Sequence, residues 1–459
     1  ILALFDLARR FGLIPSPIKA ESGIILDAIN RFYGEIGTAE EVMEDISGED
    51  LTAVATEFES PKDLLELTEE APIIRLINAL LQQAVKEKAS DIHIEPYEKE
   101  IDVRIRIDGI LHRVLSPPKI IQDALISRVK VMANLDIAEK RLPQDGRIRV
   151  LIGGKDIDIR VSIVPTTYGE RIVLRLLDRK QGLMGLNELG LGMQKEEVFN
   201  QLLGRTNGII LVTGPTGSGK TTTLYAALNS LNRAEKNIIT VEDPVEYQLS
   251  GVGQIQVNPK VGLTFASGLR SILRQDPDVI MVGEIRDTET AEIAIQASLT
   301  GHLVLSTLHT NDAASSLTRL LDMGVEPYLV ASSLTGVIAQ RLVRVICPYC
   351  KDGYKPSEEE IAYFKQGGIE TPEPSSYLYK GSGCEKCRNS GYLGRTGIFE
   401  LLIIDTEVRR MIVSRTDSKT ISEYAVSRGM QTLYMDGLSK VLSGITTIEE
   451  VLRVIHNER

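Results

Sequence analysis

The sequence runs to 459 residues, room for about three domains with sizeable cores, and its 43% hydrophobic and 25% charged residues are those of an ordinary globular chain. A net charge of −11 argues against a general nucleic-acid-binding surface, while leaving room for a local basic groove. No apolar run approaches the ~18–20 residues of a membrane-spanning helix.

Residues 1–60 read as the remnant of a docking domain and its linker. Leu2, Leu4, Phe5 and Leu7 predict a helix over 1–11, Gly12, Pro15 and Pro17 break it, and 24–33 predict a second. Residues 37–72, rich in Glu, Asp, Ser and Thr, read as a solvated tether. The chain starts at Ile1 instead of Met, which is read as an internal start with a targeting or docking segment removed.

Residues 61–180 predict an α+β domain. Ile73, Ile74, Leu76, Ile77, Leu80, Leu81 and Ala84 recur at helical spacing over 72–87. A strand then starts at Ser90-Asp-Ile-His-Ile-Glu-Pro96. Ile101, Val103, Ile105 and Ile107 alternate with Asp102, Arg104, Arg106 and Asp108 before an Asp108-Gly109 turn, and a second hairpin turns at Gly153-Gly154. The outward face carries Arg104, Arg106, Arg147, Arg149, Arg160, Arg171 and Arg175. These arginines either pair with the local acids or, for one or two of them, reach a triphosphate. His93 reads as structural.

Residues 181–345 hold the chemistry. The apolar run Gly208-Ile-Ile-Leu-Val-Thr213 has no polar alternation, so it predicts a parallel strand buried on both faces. It ends in Gly214-Pro-Thr-Gly-Ser-Gly-Lys220-Thr221-Thr222, and a helix-forming sequence follows. Strand, glycine-rich turn and helix in that order make a Walker A loop. Gly214, Gly217 and Gly219 let backbone amides close on a polyphosphate, with Pro215, Thr216 and Ser218 between them. Lys220 reaches the β- and γ-phosphates and Thr221 ligates Mg²⁺, so the loop is expected to bind a nucleotide. Three further apolar strands each end in polar residues: Glu242-Asp243 after Val241, Gly283-Glu284 after Val282, and His309 after Leu308. Open α/β sheets bind ligands at that edge. Glu284 is the expected base for the attacking water and Glu242 a second acid, while Gly283 stands where a magnesium-binding Asp usually does. His309 is a candidate γ-phosphate sensor, and His302 either shares that task or opens the strand. A helix is expected near Ala339 that includes Gln340, with Arg341 and Arg344 as subunit contacts or plain surface.

Residues 346–397 contain all the cysteines, as Cys347-Pro-Tyr-Cys350 and Cys384-Glu-Lys-Cys387. Two such pairs read as a closed structural Zn²⁺ site, with the residues between them forming a subdomain. Residues 398–459 predict an extended segment over 397–404, then helices at about 406–415, 418–428, 432–443 and 447–457.

These motifs together resemble the secretion ATPases, the hexameric motors of type II secretion and type IV pilus assembly. The matching stretches are 214–221 (Walker A), 239–246 (the Asp box), 276–286 (an atypical Walker B) and 300–312 (the His box). The resemblance implies an α/β fold with a RecA-like P-loop core, a preceding α+β (PAS-like) domain, a tetracysteine zinc subdomain and a C-terminal helical region. It implies that Glu284 is the catalytic glutamate, that the missing magnesium Asp is a family trait, and that Arg160 and Arg175 reach the nucleotide. It further implies an Mg²⁺-dependent ATPase that works as a homo-hexamer on the cytoplasmic face of a bacterial inner membrane. The implied partners are platform proteins with GspL-like and GspF-like cytoplasmic domains, with acidic phospholipid as a further contact and no nucleic acid. Residues 326–334 and 336–344 look more like the type II secretion ATPase than the pilus extension ATPase, which is the alternative. A nucleic-acid translocase is the more distant one.

Overall fold

The computed structural model describes residues 39–47, 72–178, 184–369 and 377–456, so the helices expected at 1–11 and 24–33 lie outside the described residues. The chain divides into two compact units, residues 1–178 and 179–459.

In the first unit, a short helix α1 (Ala39–Ser47) precedes α2 (Pro72–Lys86), whose apolar stripe is buried as its spacing predicts. The strands β1 (Asp91–Pro96), β2 (Ile101–Ile107), β3 (Ile110–Leu115), β4 (Gln144–Ile152), β5 (Lys155–Thr166) and β6 (Gly169–Asp178) form one antiparallel sheet in the order β3-β2-β1-β6-β5-β4. Ile92, Ile94, Val103, Ile105, Ile159 and Ile172 share a core with α2 and with α3 (Gln122–Met132). The side-chain period of two sends their neighbours to the other face. That face carries the arginines, and they are paired: Arg104 and Arg171 with Glu95, Arg106 and Arg175 with Asp91, Arg147 with Asp158, Arg149 with Asp156. His93 is buried between these acids, and burial pushes its pKa down.

The second unit is built on a seven-stranded sheet. Helix α4 (Met193–Leu203) leads into β7 (Gly208–Thr213), α5 (Lys220–Leu231), β8 (Ile238–Glu242), β9 (Gly253–Gln256), α6 (Phe265–Ile272), β10 (Val279–Val282), α7 (Thr288–Leu299), β11 (Leu303–Leu308), α8 (Ala313–Asp322), α9 (Pro327–Ser333) and β12 (Leu334–Ile346). The order is β15-β12-β7-β11-β10-β8-β9, where β15 (Tyr392–Ile403) runs antiparallel to β12 and the other neighbours are parallel. Ile209 and Leu211 of β7 enter one core, and Ile210 and Val212 enter another. A strand that is covered on both faces has no polar alternation to show.

Two expectations fail here. The segment around Ala339 is strand β12, not a helix. Val337, Ile338, Val343 and Ile346 are β-branched, and the strand is inserted between β7 and β15, where both faces are buried. Residues 398–403 likewise belong to the main sheet through β15, so the expected border at 397/398 cuts a strand. Between β12 and β15 the chain makes β13 (Lys351–Tyr354), α10 (Glu358–Gln366) and β14 (Leu378–Gly381), with β13 and β14 paired. Helices α11 (Thr406–Val413), α12 (Ser418–Ser427), α13 (Leu433–Leu442) and α14 (Ile448–His456) follow, close to their expected spans.

Candidate nucleotide site and cysteine cluster

The parallel register carries the ends of β7, β8, β10 and β11 to one edge: Val282 lies beside Val241 and Ser306, and Thr213 beside Leu308. The loop after β7 is packed too tightly for side chains at Gly214 and Gly219, while Gly217 faces open space and is set by its φ of 81°. A methyl group at Gly214, where φ is 147°, would lie 2.5 Å from the Gln340 carbonyl and 2.6 Å from Ser218 Oγ. One at Gly219 would lie 2.7 Å from Gln340 Nε2. Lys220 opens α5 and curls back, its Nζ donating to the carbonyls of Gly214 at 2.7 Å and Pro215 at 3.0 Å. Burial lowers its pKa to about 8; the Glu284 charge opposes that shift and Arg341 adds to it. Ser218 Oγ is buried without a hydrogen-bond partner. An orphan hydroxyl, a buried lysine and a glycine cradle fit a polyphosphate, while Thr221 on the exposed first turn is open to a cation.

Glu284 follows β10 with 12% of its side chain exposed. Its carboxylate pairs with Arg286 at 2.5 Å and with His309 Nε2 at 3.3 Å. The structure therefore brings together the residues expected as base and sensor. His302 stands apart from them: it precedes β11, its Nδ1 lies 2.8 Å from the Ala297 carbonyl, and β11 runs between it and His309. At ~3.3 Å per residue the strand separates the two histidines by about 20 Å, so His302 opens the strand and takes no part at the edge. Glu242 is 3% exposed, and its oxygens accept from Thr240 Oγ1 at 2.5 Å, Gln254 Nε2 at 3.0 Å and the Tyr225 hydroxyl. Burial raises its pKa. In the first unit, Arg160 and Arg175 stand opposite one another across β5 and β6, and Arg175 Nε donates to Asp91 at 3.0 Å.

Sequence reasoning underrated Gln340 and Arg341. Gln340 Oε1 accepts from Thr223 Oγ1 at 2.6 Å, beneath the phosphate loop. Arg341 is 5% exposed, and its Nη2 donates to the Asn311 carbonyl at 3.0 Å. A polar pair interrupting an apolar run that ends beside the Walker A strand was the available signal. The helix reading hid it.

The four cysteines converge where β12 and β15 leave the sheet. Their sulfur atoms lie within 4.8 Å of one another, with Sγ separations of 3.9 Å for Cys347–Cys384, 3.8 Å for Cys350–Cys387 and 3.7 Å for Cys384–Cys387. Four thiolates about 2.3 Å from a tetrahedral Zn²⁺ have edges of about 3.8 Å, so the donor set fits that ion.

A family model described as type II/IV secretion system protein matches residues 66–453. Type II secretion system protein E of Pseudomonas aeruginosa is 51% identical over 463 residues, covering 100% of this chain and 91% of the relative. Type II secretion system ATPase E of Vibrio cholerae is 54% identical over 418 residues, covering 91% of this chain and 82% of the relative. The solved structure of the pilus retraction motor PilT with bound ADP aligns at a TM-score of 0.57 and 27% identity, covering 82% of this chain and 96% of that one. The ATPase DotB of Legionella pneumophila shares the fold, at a TM-score of 0.61 and 22% identity over 83% of this chain and 95% of that one. The chain belongs to the type II/IV secretion system protein family.

Proposed function

We propose that this chain is the ATP-hydrolysing motor of a type II secretion machine, working as a homo-hexamer that drives pseudopilus assembly. The observation that carries the reading is Glu284, held between His309 and Arg286 at the strand edge that also bears the Walker A loop. The family match and the relatives named as secretion ATPases support the same assignment. Residues 214–222 hold the triphosphate, Lys220 spans its β- and γ-phosphates, and Thr221 holds Mg²⁺. Glu284 takes a proton from the attacking water as its oxygen bonds to the γ-phosphorus, and the bond to the departing ADP oxygen breaks. His309 steadies Glu284 and the γ-phosphate. Glu242 supports α5 through Tyr225. Arg160 and Arg175 supply the positive charge that offsets the leaving phosphate.

Cys347, Cys350, Cys384 and Cys387 would hold a structural Zn²⁺ at the base of the β12–β15 pair, and metal analysis of the purified protein should find one zinc ion per chain; a protein that folds without zinc at these thiols overturns that part of the reading. No described helix is long and apolar enough to cross a membrane. The proposed place at the cytoplasmic face of the inner membrane rests on docking to platform proteins with GspL-like and GspF-like cytoplasmic domains, assisted by acidic phospholipid. Turnover measured together with particle mass, with and without those domains, tests the motor reading. Activity that rises with ring assembly and partner addition is expected; full activity in a monomer indifferent to partners overturns the ring mechanism.

A further inference from the structure

Glu400 lies in β15 opposite Ala339 and is 3% exposed. Its two oxygens serve two backbone amides: Oε1 accepts from Ala313 N at 2.8 Å and Oε2 from Leu433 N at 3.4 Å. Ala313 is the first residue of α8 and Leu433 the first of α13. One side chain, from a strand that belongs to neither helix, thus meets the positive ends of both. Burial raises its pKa to about 7; the two amides and Arg341 oppose that shift, and Asp312 adds to it.

The α8 side leads straight to the nucleotide edge. In the loop before Ala313, His309 meets Glu284, and Thr310 Oγ1 lies 2.7 Å from the hydroxyl of Thr213, the last residue before the Walker A glycines. The Asn311 carbonyl accepts from Arg341, whose Nη1 lies 3.1 Å from where a methyl on Gly214 would sit. On the other side, α13 is gripped twice. Phe399, beside Glu400, donates its amide to Asp436 of α13 at 2.9 Å, and Lys440 donates to the same carboxylate at 2.6 Å.

We propose that Glu400 is a positioning residue that couples the state of the nucleotide loop to the C-terminal helices. A displacement of residues 309–312 toward a γ-phosphate carries the Ala313 amide with it. The shared carboxylate then follows only by changing its bond to Leu433. An acid suits the position because both of its oxygens accept, whereas a glutamine would turn an NH₂ group toward an amide donor. The inference rests on the reading of residues 214–222 as an ATP site and adds a route out of that site.

The test is hydrogen exchange over residues 433–442 of the assembled protein, with and without a non-hydrolysable ATP analogue, beside steady-state kinetics. Glu400→Gln breaks the shared acceptor. Leu433→Pro is a second variant that removes the α13 amide together with part of the buried Leu433 side chain, and Leu433→Ala, which keeps the amide and should keep the response, is its control; proline is at home in the first turn of a helix, and Thr432 before it already has φ −71° and ψ 165°, as a residue preceding proline requires. In the wild type, the analogue is expected to change exchange at 433–442 about tenfold. In Glu400→Gln and Leu433→Pro analogue binding should stay within about threefold and the response at 433–442 should vanish, with kcat down roughly tenfold and KM within about twofold. Should Glu400→Gln fail to fold, Leu433→Pro and its control decide. A full response in folded Glu400→Gln or Leu433→Pro overturns the proposal, as does a wild type that binds the analogue without any response at 433–442. A wild type that fails to bind the analogue overturns the ATP-site reading instead.

Discussion

Glu242 ends β8 and Glu284 lies two residues beyond β10, neighbouring parallel strands in which Val241 lies beside Val282, yet their surroundings are opposite. Glu242 is enclosed, and its lone pairs go to a threonine, a tyrosine and a glutamine, all neutral donors. Glu284 is partly open, and its partners are a guanidinium and an imidazole that are themselves exposed, at 69% and 48%. A carboxylate whose oxygens are all taken by buried neutral groups holds structure. One with exposed, exchangeable partners at a ligand edge is free to trade them for a water and a phosphate. The difference predicts which of the two acids performs chemistry.

The largest expected effect follows directly. Glu284→Gln should lower turnover by about 10²- to 10⁴-fold, the range of general-base catalysis, while ATP binding measured by equilibrium titration stays near wild type. Glu242→Gln should cost turnover less than about tenfold, since it acts only through the seating of α5. Equal losses in the two variants would erase the distinction.

How far the sequence revealed this contrast depends on the kind of signal. The Walker A loop, the parallel strands and the cysteine pairs were legible because short spacings and unbroken apolar runs encode them locally. The position of β12 was not. Residues 334–346 contain both strand and helix formers, and what selects a strand is the slot between β7 and β15, one side of which is formed by a segment far along the chain, at 392–403. With that slot unseen, Arg341 passed for a subunit contact or plain surface and Gln340 had no role. The places of Glu284 and Glu242 after apolar strands were legible, and with them the reading of one as base and the other as second acid; what surrounds each was not, because Tyr225, Gln254, Arg286 and His309 reach them from other elements.

Lys220 offers a sharper, intermediate test, since its charge responds to Glu284 and not to Glu242. Burial brings its pKa down to about 8 in the free protein, and bound phosphates favour the protonated form. The sign follows: binding takes up a proton above that value, so ATP affinity should weaken with rising pH, by up to about tenfold per unit. Titration calorimetry in buffers of different ionisation enthalpy would read that proton uptake. Glu284→Gln removes the negative charge that holds the Lys220 pKa up, so the onset should move to lower pH in that variant. Glu242→Gln should leave it in place. An onset that moves in the Glu242 variant would mean that the two acids share one electrostatic field.

The smallest effect concerns the enclosed acid itself. Burial raises the Glu242 pKa, so the folded state binds a proton more readily than the unfolded chain does; this contribution to stability is present at low pH and is lost as pH rises through the folded value. Glu242→Gln carries no such charge, so its melting temperature relative to wild type should climb as pH rises above the ordinary glutamate pKa of about 4.3. Tyr225→Phe should behave differently. The Tyr225 hydroxyl donates to Glu242 and accepts from the Glu246 amide at 3.2 Å, and its ring lies edge-on to Tyr247, with centroids 6.0 Å apart. Removing the hydroxyl leaves both partners short of a bond in a buried site, at a cost of about 1–3 kcal/mol. Because the carboxylate also loses a donor that favours its charged form, the deficit in melting temperature should widen with rising pH, while turnover changes less than about threefold. Opposite pH trends in the two variants would identify Glu242 as a buried charge held by neutral donors. Parallel trends would mean that the carboxylate is protonated in the folded chain throughout that range.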